Sequence, residues 1–258
     1  MILVDIIIFY LGALFSSFYI LVANRLVHKE TILGHSYCDH CKHELKLYDV
    51  IPIFGYLLNL GKCRYCEKKI SIKYPILELF GGLIIMLSYQ VYGLNFEFYV
   101  FVLLYSVFLI TSLTDIKDML VFDQVWIIAL IPLIIIRIVE QTFFQYFISS
   151  AVMFTILFLI AYLGQKVYKK EALGGGDIKL YIFIGFVIPL LESLLSLMIA
   201  SFTALLFVFV FKKMKDSYIP LVPFIFIGVV VSYLYGRELI SWYLSLLGAW
   251  FYEIQSSI

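Results

Sequence analysis

Residues 97–118 read EFYVFVLLYSVFLITSLTDIKD, an apolar run long enough to cross a bilayer that ends in the acidic stretch Thr114-Asp115-Ile116-Lys117-Asp118. A second junction of this kind is Gly174-Gly175-Gly176-Asp177-Ile178-Lys179, where three glycines and an aspartate open another apolar run. A carboxylate bordering a membrane segment is costly unless it is paired, solvated or used, so each junction marks a candidate functional site.

The composition around these junctions agrees with a membrane setting. Of 258 residues, 63% are hydrophobic and 14% charged, and the mean hydropathy of +1.01 excludes an ordinary soluble domain. Segments apolar enough to span fall at 3–24, 76–93, 97–115, 124–140, 143–165, 177–189, 190–211 and 218–236. The region 177–211 is split at Pro189, because Pro189-Leu190-Leu191-Glu192 reads as a turn. A further stretch, 239–252, carries Trp242, Tyr243, Trp250 and Tyr252 and either lies in the interface or makes a ninth crossing. Ahead of Ile6 the only charged residue is Asp5; small residues near Ser16-Ser17 leave a cleaved signal peptide open, but the missing basic n-region argues for a retained first span. The expected fold is an all-α polytopic membrane protein of about eight transmembrane helices. A small cytoplasmic zinc-binding domain with four cysteines follows the first helix. The expected division is 1–24 for the first helix, 25–75 for the zinc-binding loop and 76–258 for the membrane-embedded domain.

Lys and Arg collect in cytoplasmic loops and so set orientation. The segment after the first span holds Arg25, Lys29, Lys42, Lys46, Lys62, Arg64, Lys68, Lys69 and Lys73. With alternating spans, Lys117, Lys166, Lys169, Lys170, Lys179, Lys212, Lys213 and Lys215 fall on that same side, and only Arg137 and Arg237 fall opposite. The N-terminus then faces out, the large loop faces the cytoplasm, and Asp115 and Asp177 both lie at cytoplasmic span ends.

All four cysteines lie in that loop, as Cys38-Asp39-His40-Cys41 and Cys63-Arg64-Tyr65-Cys66. Two C-x-x-C knuckles can close a tetrahedral thiolate site, because each short spacer turns both sulfurs toward one ion. Disulfides are disfavoured in a reducing compartment, and with four thiolates available His35, His40 and His43 read as solvated loop residues. A site filled by four sulfurs has no open position, so zinc would fold the loop rather than do chemistry.

The two aspartates suggest paired-carboxylate hydrolysis, in which one group stays protonated as acid while the other activates water. The glycines before Asp177 permit close approach of a second helix or an extended peptide. Taken singly, Asp115 reads equally well as a helix-end acid in the headgroup region and Asp177 as an N-terminal acid facing the helix dipole. Asp118 and Asp123 are the internal competitors, and Glu78 and Glu192 read as structural.

The order of these motifs resembles the bacterial type IV prepilin peptidases, leader peptidases of the GxGD class of intramembrane aspartyl proteases. The resemblance runs through Ser17-Phe18, Asn24-Arg25-Leu26, the two cysteine pairs, Tyr48-Asp49-Val50-Ile51-Pro52 and Tyr74-Pro75-Ile76-Leu77-Glu78. It continues through Asp115, Asp123, Gly174 to Lys179, and Pro220 to Pro223. It implies cleavage of the basic leader of type IV prepilins and pilin-like secretion or competence proteins at the cytoplasmic face of the bacterial inner membrane. By motif position Asp115 and Asp177 would be the catalytic pair, Gly174 and Gly176 the motif glycines, and Gly175 and Lys179 supporting residues. Many members of the family also methylate the new N-terminal amine with S-adenosylmethionine, an activity that rests here on resemblance alone, since no strand precedes the glycine run. Phe122 stands where the family usually has proline. The implied partners are pilin-like substrates and membrane lipid, with no nucleic acid. An ion-coupled transporter and a non-enzymatic assembly subunit are the competing classes; a transporter predicts acids near the midplane and symmetry between halves, neither of which is seen.

Overall fold

The computed structural model describes residues 2–169, 174–211 and 219–256, with the backbone alone at 168, 211 and 247–256. Lys170, Lys212, Lys213 and Lys215, and the side chains of Trp250 and Tyr252, lie outside the described residues. The helices are α1 (Ile2–His28), α2 (Phe54–Leu58), α3 (Lys73–Tyr92), α4 (Phe96–Asp118), α5 (Asp123–Val139), α6 (Phe143–Tyr168), α7 (Gly175–Val187), α8 (Leu190–Phe211) and α9 (Val222–Ser256). A 3-10 turn spans Leu47–Asp49.

Each expected span overlaps a helix among the described residues, the eighth from Val222 and the sixth only to Val187, but the count of eight is not matched. Among the described residues six helices are long and apolar enough to cross a membrane: α1, α3, α4, α6, α8 and α9. The expected spans at 124–140 and 177–189 correspond to α5, of 17 residues with Pro132 inside it, and α7, of 13 residues. At about 1.5 Å per residue α7 reaches only about 20 Å, against a hydrocarbon core of about 30 Å. The stretch 239–252 is no separate ninth crossing; it continues α9 without a turn. The expected break at Pro189 is present, since α7 stops at Val187 and α8 starts at Leu190.

The chain divides into two compact units, Met1–Asp118 and Met119–Ile258. In the first, small residues let α1 and α3 pack closely, as in many membrane helix pairs. A Cβ on Gly81 would fall 1.8 Å from Ser16 Oγ and 2.2 Å from the Tyr105 hydroxyl. Ser16 and Tyr105 themselves share a 2.8 Å hydrogen bond, which ties α1 to α4. α1 ends where Lys29 turns left-handed at φ 56°, and Glu30 N–H donates to the Arg25 carbonyl at 2.9 Å. Arg25, 6% exposed, donates to the carbonyls of Ile32 (2.6 Å) and His35 (2.8 Å), so the helix end organises the loop that leaves it. The buried Glu78 carboxylate accepts the Ile53 N–H at 2.7 Å, at a residue held at φ 65°.

In the second unit α7 is the innermost element. Leu180, Tyr181, Phe183, Ile184 and Val187 are all at most 1% exposed, and α7 packs against α5, α6 and α8. A Cβ on Gly185 would meet the Ser150 backbone at 2.3 Å, so α6 approaches α7 there at backbone distance.

Candidate active site and metal centre

The cysteine loop contains two near-copies of one knuckle. In the first, Cys38 N–H donates to His43 O and Lys42 N–H donates back to Cys38 O; in the second, Cys63 N–H donates to Lys68 O and Glu67 N–H to Cys63 O. Lys42 (φ 56°) and Glu67 (φ 57°) make the same left-handed turn. Isolated bridges Tyr37 to Glu44 and Lys62 to Lys69 close the two turns. The His43 and Tyr65 rings, 3.7 Å apart, join one knuckle to the other.

The result is four Sγ atoms within 4.8 Å of one another, from Cys38, Cys41, Cys63 and Cys66. None of the four is in a disulfide. Tetrahedral zinc with Zn–S near 2.3 Å needs sulfurs about 3.8 Å apart, and Cys38 and Cys66 stand at 3.9 Å. The donor set fits such an ion. Burial works against the Cys38 thiolate, but the N–H groups of Cys41 and His40 and the neighbouring thiols hold its pKa down to about 7. For Cys66 the Lys68 N–H favours the thiolate, yet burial and the other three thiols push it up to about 11. His35, His40 and His43 are exposed and no part of the sulfur cluster, as expected from the sequence.

Asp115 lies three residues from the end of α4 and is 6% exposed, beside Thr111 and Thr114, which are fully buried. Asp118, the last residue of α4, is exposed. In the same unit Lys117 Nζ donates to Asn24 Oδ1 at 2.6 Å, and the Asn24 amide donates to the Tyr74 hydroxyl at 3.3 Å. These contacts tie together the motifs at the ends of α1, α3 and α4.

Asp177 is the third residue of α7, half-buried at the helix N-terminus, where the dipole favours a carboxylate. The three glycines before it differ in role. A Cβ on Gly174 would lie 2.9 Å from Asp177 Oδ2, because the carboxylate folds back over the helix start. A Cβ on Gly176 would lie 2.7 Å from Val121 Cβ. At Gly175 it would meet nothing within 4 Å among the described residues. The third glycine is therefore sterically required by Val121, whereas at the first a small turn of the Asp177 carboxylate would make room.

Asp123, the first residue of α5, accepts Lys179 Nζ at 2.6 Å and Trp126 Nε1–H at 3.3 Å. Lys179, expected only as a supporting residue, thus links the start of α7 to the start of α5. Phe122 sits at φ −83°, close to the range to which proline is fixed, and α5 begins in register directly after it.

The sequence reading missed the far end of α7. Arg137, taken only as a charge on the outer side, is 1% exposed and donates to the carbonyls of Phe186 (3.0 Å) and Val187 (2.8 Å). An arginine within an apolar segment was the available signal.

Comparison with known proteins places these features in a family context. Residues 10–92 match the Bacterial Peptidase A24 N-terminal domain, and residues 102–209 match the Type IV leader peptidase family. The chain is 30% identical over 247 residues to a prepilin leader peptidase/N-methyltransferase of Bacillus subtilis, covering 93% of this chain and 98% of the relative. It is 31% identical over 214 residues to the protein of that name from Vibrio cholerae, covering 78% and 81%. To that of Stutzerimonas stutzeri it is 27% identical over 223 residues, covering 82% and 75%. No solved structure matches the chain.

Proposed function

We propose, from the premise that the chain belongs to the type IV leader peptidase family, that it cleaves the basic leader from prepilins and pilin-like proteins and N-methylates the new terminus. Asp115 and Asp177 are the catalytic pair in this reading. The observation that carries it is the geometry before Asp177, where Gly176 packs on Val121 with no room for a side chain and the Asp177 carboxylate folds back over Gly174. Burial of Asp115 against exposure of Asp118 supports the choice in α4. Asp123 is already engaged by Lys179 and Trp126, which supports leaving it out of the pair.

The chemistry is general acid–base hydrolysis. One carboxylate takes a proton from water, whose oxygen attacks the scissile carbonyl carbon, and the other carboxyl, protonated, donates to the carbonyl oxygen. The tetrahedral intermediate collapses as the C–N bond breaks and the leaving amine takes a proton. No nucleophilic side chain is needed. Cys38, Cys41, Cys63 and Cys66 would hold a structural zinc ion, which would fix the fold of the loop domain of residues 25–75, ahead of the membrane-embedded residues 76–258 in the chain. The peptidase faces the cytoplasm of the bacterial inner membrane, an orientation supported by the distribution of Lys and Arg.

S-adenosylmethionine would supply the methyl group for the amine that cleavage exposes. The described residues offer it no Rossmann turn, since Gly174 to Gly176 open α7 with no strand before them and the described residues form only isolated bridges. The donor's site is therefore not assigned to the glycines. The transporter and assembly-subunit alternatives draw no support from the relatives.

The test is cleavage of a substrate with a basic leader ending in glycine before an apolar helix. Purified wild type is expected to cleave it, and folded Asp115→Asn and Asp177→Asn each to lose activity. Normal cleavage by either variant removes that aspartate from the pair.

A further inference from the structure

The short α7 helix carries Asp177 at one end and ends, at the other, among buried groups. Its last carbonyls have no intrahelical donors and need partners from elsewhere. Arg137 of α5 supplies them for Phe186 and Val187. Ser149 of α6 and Ser193 of α8 both donate to the Ile188 carbonyl at 3.1 Å, and Ser150 donates to Ile182 O at 2.8 Å. Arg137 is itself held in place: its guanidinium meets Glu140 at 2.8 Å and lies 3.8 Å over the Tyr146 ring.

The start of α7 is built differently. Gly174 at the N-cap makes no side-chain cap hydrogen bond, and Gly175 and Gly176 have no side chains with which to lock anything. The Lys179–Asp123 ion pair, two residues beyond Asp177 on α7, is about half exposed and therefore weak. Among the described residues, the side-chain hydrogen bonds from other helices onto the α7 backbone therefore lie toward the end away from Asp177.

We propose that Arg137 is a positioning residue for the peptidase reaction: by forking onto the two terminal carbonyls of α7 it sets the axial position and rotation of the helix, and so the place of Asp177. This rests on the reading of Asp177 as a member of the catalytic pair. A one-residue slip of a helix moves it about 1.5 Å along its axis and turns it about 100°. A displacement of about 1 Å at a reacting group can cost about 100-fold in rate. Arginine suits the role because its planar fork reaches two acceptors at once, which a lysine ammonium does not reproduce.

The test uses the full chain in lipid nanodiscs, with wild type, Arg137→Met, Arg137→Lys and Asp177→Asn compared in two readouts. In steady-state leader cleavage, Arg137→Met is expected to lower kcat by about 10- to 100-fold with KM within about twofold of wild type, and Arg137→Lys to fall between the two. In amide hydrogen exchange, Arg137→Met is expected to speed exchange at Phe186–Ile188 and also at the distant residues Asp177–Leu180. A residue that merely satisfies its neighbours would change only the near end. If Arg137→Met does not fold, the proposal stands on Arg137→Lys lowering kcat at unchanged KM. Unchanged kcat in a folded Arg137 variant, while Asp177→Asn is inactive, overturns the positioning role and leaves the aspartate assignment intact. Full activity of Asp177→Asn overturns the assignment itself, and the positioning role falls with it.

Discussion

The Lys179 ammonium lies 2.6 Å from the Asp123 carboxylate and so joins the fifth residue of α7 to the first residue of α5. Lys179 stands two residues after Asp177, on the helix whose opening carries the glycine run. The pair is left out of the proposed acid–base chemistry because the Asp123 carboxylate is already engaged by Lys179 and Trp126. Half-exposed pairs of this kind contribute only about 0.2–1 kcal/mol. Asp123→Asn and Lys179→Ala are therefore expected to keep leader cleavage within about tenfold of wild type, whereas Asp115→Asn and Asp177→Asn lose it. An inactive but folded Asp123→Asn would move Asp123 into the reaction.

The glycine run makes a graded prediction. Gly175→Ala places its methyl in open space and gains helix propensity, so the protein is expected to be unchanged or more stable by up to about 1 kcal/mol. Gly176→Ala drives a methyl to 2.7 Å from Val121 Cβ and is expected to cost about 1–3 kcal/mol and most of the activity. Val121→Ala should restore part of both in the double variant. Thermal unfolding in nanodiscs and a cleavage assay on the same samples check this; equal effects at 175 and 176 would contradict it.

Metal removal tests the sulfur cluster. Elemental analysis of the purified protein is expected to find about one zinc per chain, on the ligand count of a four-thiolate site. Cys38→Ser or Cys63→Ser should lose it, and His40→Ala or His43→Ala should keep it. Because zinc displaces thiol protons, retention is expected to weaken as pH falls. The loop should become protease-sensitive on chelation while the apolar helices remain folded. Zinc loss in the histidine variants would bring an imidazole into the ligand set.

Close packing of α1 on α3 predicts a strong effect at one small residue. Gly81→Ala places a methyl 1.8 Å from Ser16 Oγ and 2.2 Å from the Tyr105 hydroxyl. It is expected to destabilise the first unit by about 1–3 kcal/mol. Ser16→Ala combined with Tyr105→Phe removes the two clashing oxygens and should recover much of that loss. Thermal unfolding of the single and triple variants measures it; a neutral Gly81→Ala would show that the helices can separate freely.

The sequence by itself determined the elements that depend on local chemistry. Apolar runs bounded by Lys, Gly and Pro mark helices because a chain in lipid must satisfy its own backbone hydrogen bonds. Two C-x-x-C pairs mark a four-sulfur site because a two-residue spacer dictates a turn. Pro189 announced the break before α8 for the same kind of local reason, since proline cannot continue a helix. The tertiary structure decided what depends on neighbours distant in the chain. It made 239–252 a continuation of α9 and showed α7 to be too short for the span expected of it. It separated Gly176 from Gly175, because steric need at a glycine is set here by Val121 and not by the glycines themselves. It also turned Arg137 from a charge in a loop tally into a donor to Phe186 and Val187, some 50 residues on. A buried guanidinium is tolerable only where carbonyls are waiting for it, and nothing local to residue 137 reveals that the end of α7 supplies them.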